Sequence, residues 1–171
     1  MSGYDVLVAP VSDVAVINVR AQPGSIDAIG NALGCEPPRR MFAAALARGV
    51  RACRLGPDQW WVLCELAQEV AVCGQLDAAL AGTHAAVTAV SDQYSGFALH
   101  GSEVGMVMRQ AVTIDLDDYG DDCATRCGFA RCSAFIYVHT RSSRYEIYVE
   151  SSYADYVSRW LSTASAVATT A

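Results

Sequence analysis

The chain has no glycine-rich phosphate loop, no apolar run near the ~20 residues that cross a bilayer, and few charges, with acidic residues outnumbering basic ones. Pro23, Gly24 and Ser25 follow a strand-like segment and precede a helix-like one, yet no GxGxxG or GK[ST] pattern accompanies them, which argues against an independent nucleotide site. The start, MSGYDVLVAPVSD, has no basic n-region and meets acidic residues early, so the sequence predicts a protein neither exported nor embedded in a membrane. A formal net charge of −6 repels a nucleic-acid backbone or an anionic membrane at long range, and neither is expected as a partner. The charged fraction of 18% is low beside a hydrophobic fraction of 53%, which leaves apolar surface for a protein partner. Seven cysteines make an odd number, and Cys53, Cys64, Cys73 and Cys132 fall inside apolar patterns where a reduced thiol packs as a small hydrophobe. A reducing cytoplasm fits that usage.

What is present is a duplication. VAVINVR (residues 14–20), the helix-like SIDAIGNALG, RACRLGPDQWWVLC (51–64) and the helical LAQEVAVCGQLDAAL form one strand, helix, two-strand, helix unit. SGFALHG (95–101), SEVGMVMRQA, CSAFIYVHTRSSRYEIYVE (132–150) and SYADYVSRWLSTA form the second. The fold class predicted is α+β, with a first half over 12–92, a second over 93–164, and flexible ends at 1–11 and 165–171. Both faces of VAVINVR are apolar, which predicts a central strand. Ser25 is placed to cap a helix carrying Ile26, Ile29 and Leu33 and ended by Gly34. Residues 35–47 are ambiguous, because EPPRR is irregular and MFAAALARG reads as a helical turn or a loop. Val70, Cys73, Leu76 and Leu80 give the next helix its expected buried stripe, and Val104, Val107 and Met108 give one to the helix after Ser102 and Glu103. Ser152 with Asp155 matches a capping box before the last helix.

No catalytic set emerges. Cys123, Cys127 and Cys132 lack the paired spacing and the fourth ligand of a zinc or iron–sulfur site, so core or loop thiols are expected. His84, His100 and His139 have no neighbouring carboxylate or serine in a catalytic order and are expected to be structural. DLDDYGDD (115–122) alternates carboxylates as a calcium loop does but lacks the distal glutamate, which favours a solvated loop. Catalytic, cofactor-binding and metal residues are therefore all expected to be absent. Trp60 and Trp61 are consecutive and must point to opposite faces of a strand, one into the core and the other outward or against a neighbouring element. Whichever faces outward is the candidate subunit-interface anchor.

RLGPDQWWVL (54–63), together with AVINVRAQPGSIDAIGNALG (15–34), VTAVSDQYSGFALHGSEV (87–104) and FIYVHTRSSRYEIYVESSYADYVSRWL (135–161), resembles the gamma subunit of heterotetrameric sarcosine oxidase. The likeness covers about residues 12–164. It implies ferredoxin-like halves similar to the first two domains of the glycine-cleavage aminomethyltransferase. It also implies a cytoplasmic complex of alpha, beta, gamma and delta subunits that oxidatively demethylates sarcosine, with the one-carbon unit passed to tetrahydrofolate. The resemblance puts FAD, FMN and NAD on the alpha and beta subunits, the tetrahydrofolate site on alpha and zinc on delta, with no cofactor on this chain. Extra cysteines and the basic pair Arg39 and Arg40 depart from the usual pattern and leave open a related N-methyl amino acid as substrate. A second class, a stand-alone folate-binding or aminomethyltransferase-like module without catalytic residues, stays open. Against it, the chain is too short for a further aminomethyltransferase domain, and TRCGFAR (125–131) lacks the lysine, tyrosine and glutamate of the KGCYxGQE-type signature of folate-binding repair proteins.

Overall fold

A computed structural model describes residues 3–166. In chain order the elements are β1 (Leu7–Val11), β2 (Val14–Ala21), α1 (Ile26–Leu33), β3 (Ala44–Ala47), β4 (Val50–Arg54), β5 (Gln59–Glu65), α2 (Glu69–Leu80), β6 (Ala85–Ala89), β7 (Tyr94–His100), α3 (Val104–Ala111), β8 (Cys123–Phe129), β9 (Cys132–Thr140), β10 (Arg144–Glu150) and α4 (Ala154–Ala166). They form two compact units, Asp13–Asp92 and Met1–Ser12 joined with Gln93–Ala171. Each unit is an antiparallel five-stranded sheet with a pair of helices, ordered β3-β4-β5-β2-β6 in the first and β1-β7-β10-β9-β8 in the second. The fold is α+β with ferredoxin-like halves.

In the first unit Ala15, Ile17 and Val19 of β2 join Ala52 of β4 and Trp60, Val62 and Cys64 of β5 under Ile26, Ile29 and Leu33 of α1 and Val72, Leu76 and Leu80 of α2. The alternate residues Val16, Trp61 and Leu63 are buried as well, which is why these central strands read as continuous apolar runs rather than as clean alternation. Helix α1 ends at Gly34 with φ 67, a left-handed conformation open to glycine at little cost; Ser25 occupies the cap position but makes no capping hydrogen bond with its side chain. In the second unit Phe97, Leu99, Ile136, Val138, Tyr145, Ile147 and Val149 pack beneath Val104, Val107 and Met108 of α3 and Val157 and Leu161 of α4.

Within the amino-terminal segment expected to be a flexible end, Leu7–Val11 form a strand. Strand β1 pairs with β7 from Leu7↔His100 to Val11↔Gly96, and before it the carboxylate of Asp5 accepts bonds from the Ser102 hydroxyl (2.6 Å) and backbone amide (3.1 Å). Tyr4 donates its amide to the Ser165 carbonyl at 2.9 Å, so the first and last described turns of chain meet. Of the segment 165–171, Ser165 and Ala166 belong to α4 and the rest lies outside the described residues. Two local expectations also change. Residues 44–47 form an edge strand rather than a helical turn or a loop. Cys123 to Phe129, for which the sequence predicts no element, forms β8. On α2 the buried stripe is Val72, Leu76 and Leu80, while Val70 is 83% exposed.

Candidate functional site

Trp60 and Trp61 do point to opposite faces of β5, as consecutive strand residues must. Trp60 belongs to the core under α1 and α2, and Trp61 lies on the helix-free face. Both are nevertheless buried, at 0% and 1% exposure, so the outward-facing tryptophan expected as an interface anchor does not exist.

The cysteine-rich stretch is likewise structural. Cys123 donates its thiol to the Gly120 carbonyl at 2.9 Å and Cys132 to the Phe129 carbonyl at 3.0 Å. Burial pushes Cys127 up to about 11 and raises Cys132, and burial followed by the charges of Cys73, Glu69 and Glu65 pushes Cys64 up to about 11. A thiolate is the metal ligand and the nucleophile, so protonated, hydrogen-bonded thiols fit neither role. Among the described residues no group of three or more histidine, cysteine or acidic side chains is arranged to hold a metal ion.

The polar groups that the fold does bring together lie on the helix-free face of the second sheet. The pairing of β9 with β10 shifts between Arg144 and Tyr145, so His139 is the extra residue of a bulge. Its Nε2 sits 2.7 Å from Oε1 of Glu146, a buried carboxylate that also accepts a bond from the Tyr148 hydroxyl at 2.8 Å. The Tyr137 ring packs edge-on against His139, 4.6 Å between centroids, and its hydroxyl donates to Asp122 at 3.2 Å. No carboxylate neighbours His139 along the chain in a catalytic order. The missing signal is the pairing Glu146↔Tyr137, which sets the glutamate beside the bulge across the hairpin. The cluster satisfies a buried carboxylate, a requirement of folding in its own right.

Ser102, Arg109, Asp117 and Arg141 line an open cleft of about 550 Å³ beside α3. Its cations are spent locally. Arg109 pairs with Asp117 at 2.7 Å, which raises the arginine's pKa and lowers the aspartate's, and Arg141 donates to the Asp117 carbonyl at 2.9 Å. The acidic loop is thereby tied to the hairpin turn, with Asp121 accepting the Arg141 amide at 2.7 Å, while its aspartates stay exposed to solvent, as the sequence suggested. His84 lines a separate cleft with Arg20 and Asp58, and that arginine and aspartate are paired at 2.9 Å.

A family model described as sarcosine oxidase, gamma subunit family, matches residues 18–167. No individual curated protein sequence matches. Among solved structures, heterotetrameric sarcosine oxidase from Corynebacterium sp. U-96 in complex with pyrrole 2-carboxylate is similar over 100% of this chain and 90% of that chain, with a TM-score of 0.89 at 22% identity. Aminomethyltransferase T of the glycine cleavage system from Bartonella henselae is similar over 94% of this chain but 46% of its own, with a TM-score of 0.73 at 15% identity. The regulatory subunit of aspartate kinase from Thermus thermophilus, in its ligand-free form, matches 92% of this chain and 97% of its own, with a TM-score of 0.55 at 17% identity. At these identities the structural likeness is one of fold.

Proposed function

The chain belongs to the sarcosine oxidase gamma subunit family, and on that premise we propose that it is the non-catalytic gamma subunit of a heterotetramer with alpha, beta and delta subunits. The complex oxidatively demethylates sarcosine or a related N-methyl amino acid in the cytoplasm and transfers the one-carbon unit to tetrahydrofolate. The observation that carries this reading is the family match over residues 18–167, which runs through both units. The chemistry of the chain supports the division of labour. The thiols of Cys64 and Cys127 are held protonated by burial, and Arg109, Arg141, Glu146 and Asp122 are engaged in bonds that hold loops and strands together. FAD, FMN, NAD, folate and zinc are accordingly assigned to the partner subunits.

The test is to co-express the tagged chain with its genomic neighbours. The expected result is co-purification of a flavin-absorbing complex, with no flavin bands and no stoichiometric zinc in the chain purified alone. Omitting the chain should lower the yield and thermal stability of the complex while substrate still reduces the flavin. A fully active, equally stable complex formed without it would sink the proposal. Stoichiometric tetrahydrofolate binding by the chain alone would favour the stand-alone module instead.

A further inference from the structure

Helix α2 carries an apolar face that its own fold does not use. Leu66, in the turn leading into the helix, is 47% exposed and Val70 is 83% exposed, and Ala67, Ala71, Gly74 and Ala78 continue the same exposed surface. The duplication supplies an internal control. Helix α4 is the counterpart of α2, also entered through a short 3-10 turn after a glutamate and starting 85 positions later. The inward residues correspond, Val72 with Val157 and Leu76 with Leu161. The outward ones do not. Where α2 has Leu66, Ala67, Val70, Gly74 and Ala78, α4 has Ser151, Ser152, Asp155, Arg159 and Thr163, all exposed. The fold thus accepts polar residues at these positions, and the apolar ones on α2 serve something outside the unit.

The charge beside this face is mostly acidic. Asp13 and Glu65 line a shallow cleft with Leu66 and Ala67, and Asp77 is exposed on the same helix, while Arg48 lines a cleft with Ala71 on another flank. An apolar centre with an acidic rim complements an apolar groove rimmed by arginine and lysine. A second copy of the chain would bring the same acidic rim against itself, and an anionic bilayer would be repelled.

We propose that the exposed face of α2 centred on Val70 docks, helix in groove, into a basic-rimmed apolar groove on a partner subunit of the complex. The proposal rests on the subunit role inferred above. The test compares assembly of the wild-type chain with that of Val70→Asp combined with Gly74→Arg, the residues α4 carries at these places. A Cβ on Gly74 meets no atom within 4 Å, so the variant is expected to keep the wild-type melting temperature. Its affinity for the partner subunits should fall about tenfold or more, because a carboxylate would be desolvated at the centre of the interface. Tyr156→Ala on α4 should assemble normally. The wild-type association rate should fall as salt is raised.

A double variant that assembles like wild type, beside a wild-type chain that does assemble, overturns the α2 site and leaves the subunit role standing. A wild-type chain that never assembles overturns both. An association rate indifferent to salt overturns the basic rim. A wild-type homodimer dispersed by Val70→Asp overturns the proposal in favour of self-association. Hydrogen exchange on the wild-type chain, free and in the complex, decides the matter should the variant misfold. Residues 66–78 should exchange more slowly in the complex, and unchanged exchange there overturns the site.

Discussion

At the scale of single residues, burial governs the chemistry. The thiols of Cys64 and Cys127 are raised from an ordinary 9.0 to about 11, so both stay protonated in the folded state where the unfolded chain would ionise. Stability from this source is fully present below pH 9 and is lost as pH rises from about 9 to about 11, because the unfolded state then releases protons that the native state retains. The urea midpoint should decline across that interval, and less steeply in a Cys64→Ala/Cys127→Ala variant. A parallel decline in both proteins would refute the assignment. The buried carboxylate of Glu146 makes a second case. Tyr148→Phe removes one donor and should cost about 1–2 kcal/mol, whereas Glu146→Ala removes the acceptor of both the His139 and the Tyr148 contacts and should cost about 2–4 kcal/mol, both read from urea denaturation. Equal, negligible losses would mean that water replaces the carboxylate freely.

At the scale of elements, the strands with two buried faces were legible in the sequence and the edges were not. VAVINVR announces β2 because both its faces are apolar, and the LGPD turn announces the β4–β5 hairpin. Strand β3 is hidden because Ala44, Ala45 and Ala47 favour helix in isolation and make a strand only by pairing with β4. On α2 the run Val70, Ala71, Val72, Cys73 is apolar around the helix, so periodicity does not choose the face, and the buried valine is Val72 rather than the expected Val70. Strand β8 is hidden by its turn. Ala130 and Arg131 link Phe129 to Cys132 with φ of 45 and 71, positive at both central positions as a type I′ hairpin requires, yet neither residue is the asparagine or glycine that signals one. The equivalent β3–β4 turn, Arg48 and Gly49, has φ of 51 and 80 and does use glycine. Ala130→Asn with Arg131→Gly should therefore stabilise the chain by about 1 kcal/mol, seen as a higher denaturation midpoint. A lower midpoint would mean that the Ala130 and Arg131 side chains contribute more than their backbone strain costs.

At the scale of the whole molecule, the duplication carries an exchange. Each repeat begins with an edge strand, β1 before β2 and β6 before β7, but β1 pairs with β7 and β6 with β2. The lead strands of the two repeats have changed places, as arms do between protomers of a swapped dimer. Ser12 and Asp13 separate β1 from β2, with Asp13 at φ 58, so β1 passes to the sheet of the other repeat rather than closing a two-residue hairpin onto β2. No alternation in the sequence could have shown this, because pairing partners 64 to 93 positions apart leave no local trace. The exchange predicts the effect of rewiring. Removing residues 1–12 should leave β7 with a bare edge, and the truncated chain should aggregate or lose cooperative unfolding. A circular permutant that starts at Gln93, joins Ala171 to Met1 and ends at Asp92 should instead fold with the native sheet orders, since each unit then becomes one unbroken stretch. The Tyr4 amide already bonds the Ser165 carbonyl, so the described residues on either side of the join lie together. The cut spares the bonds that close the first unit, in which the Val16 amide donates to the Ser91 hydroxyl at 2.8 Å and that hydroxyl donates to Glu69. Circular dichroism, cooperative urea unfolding and hydrogen exchange in β1, β2, β6 and β7 would check it. A permutant that remains molten would show that the covalent link through residues 90–93 is itself required to form the fold.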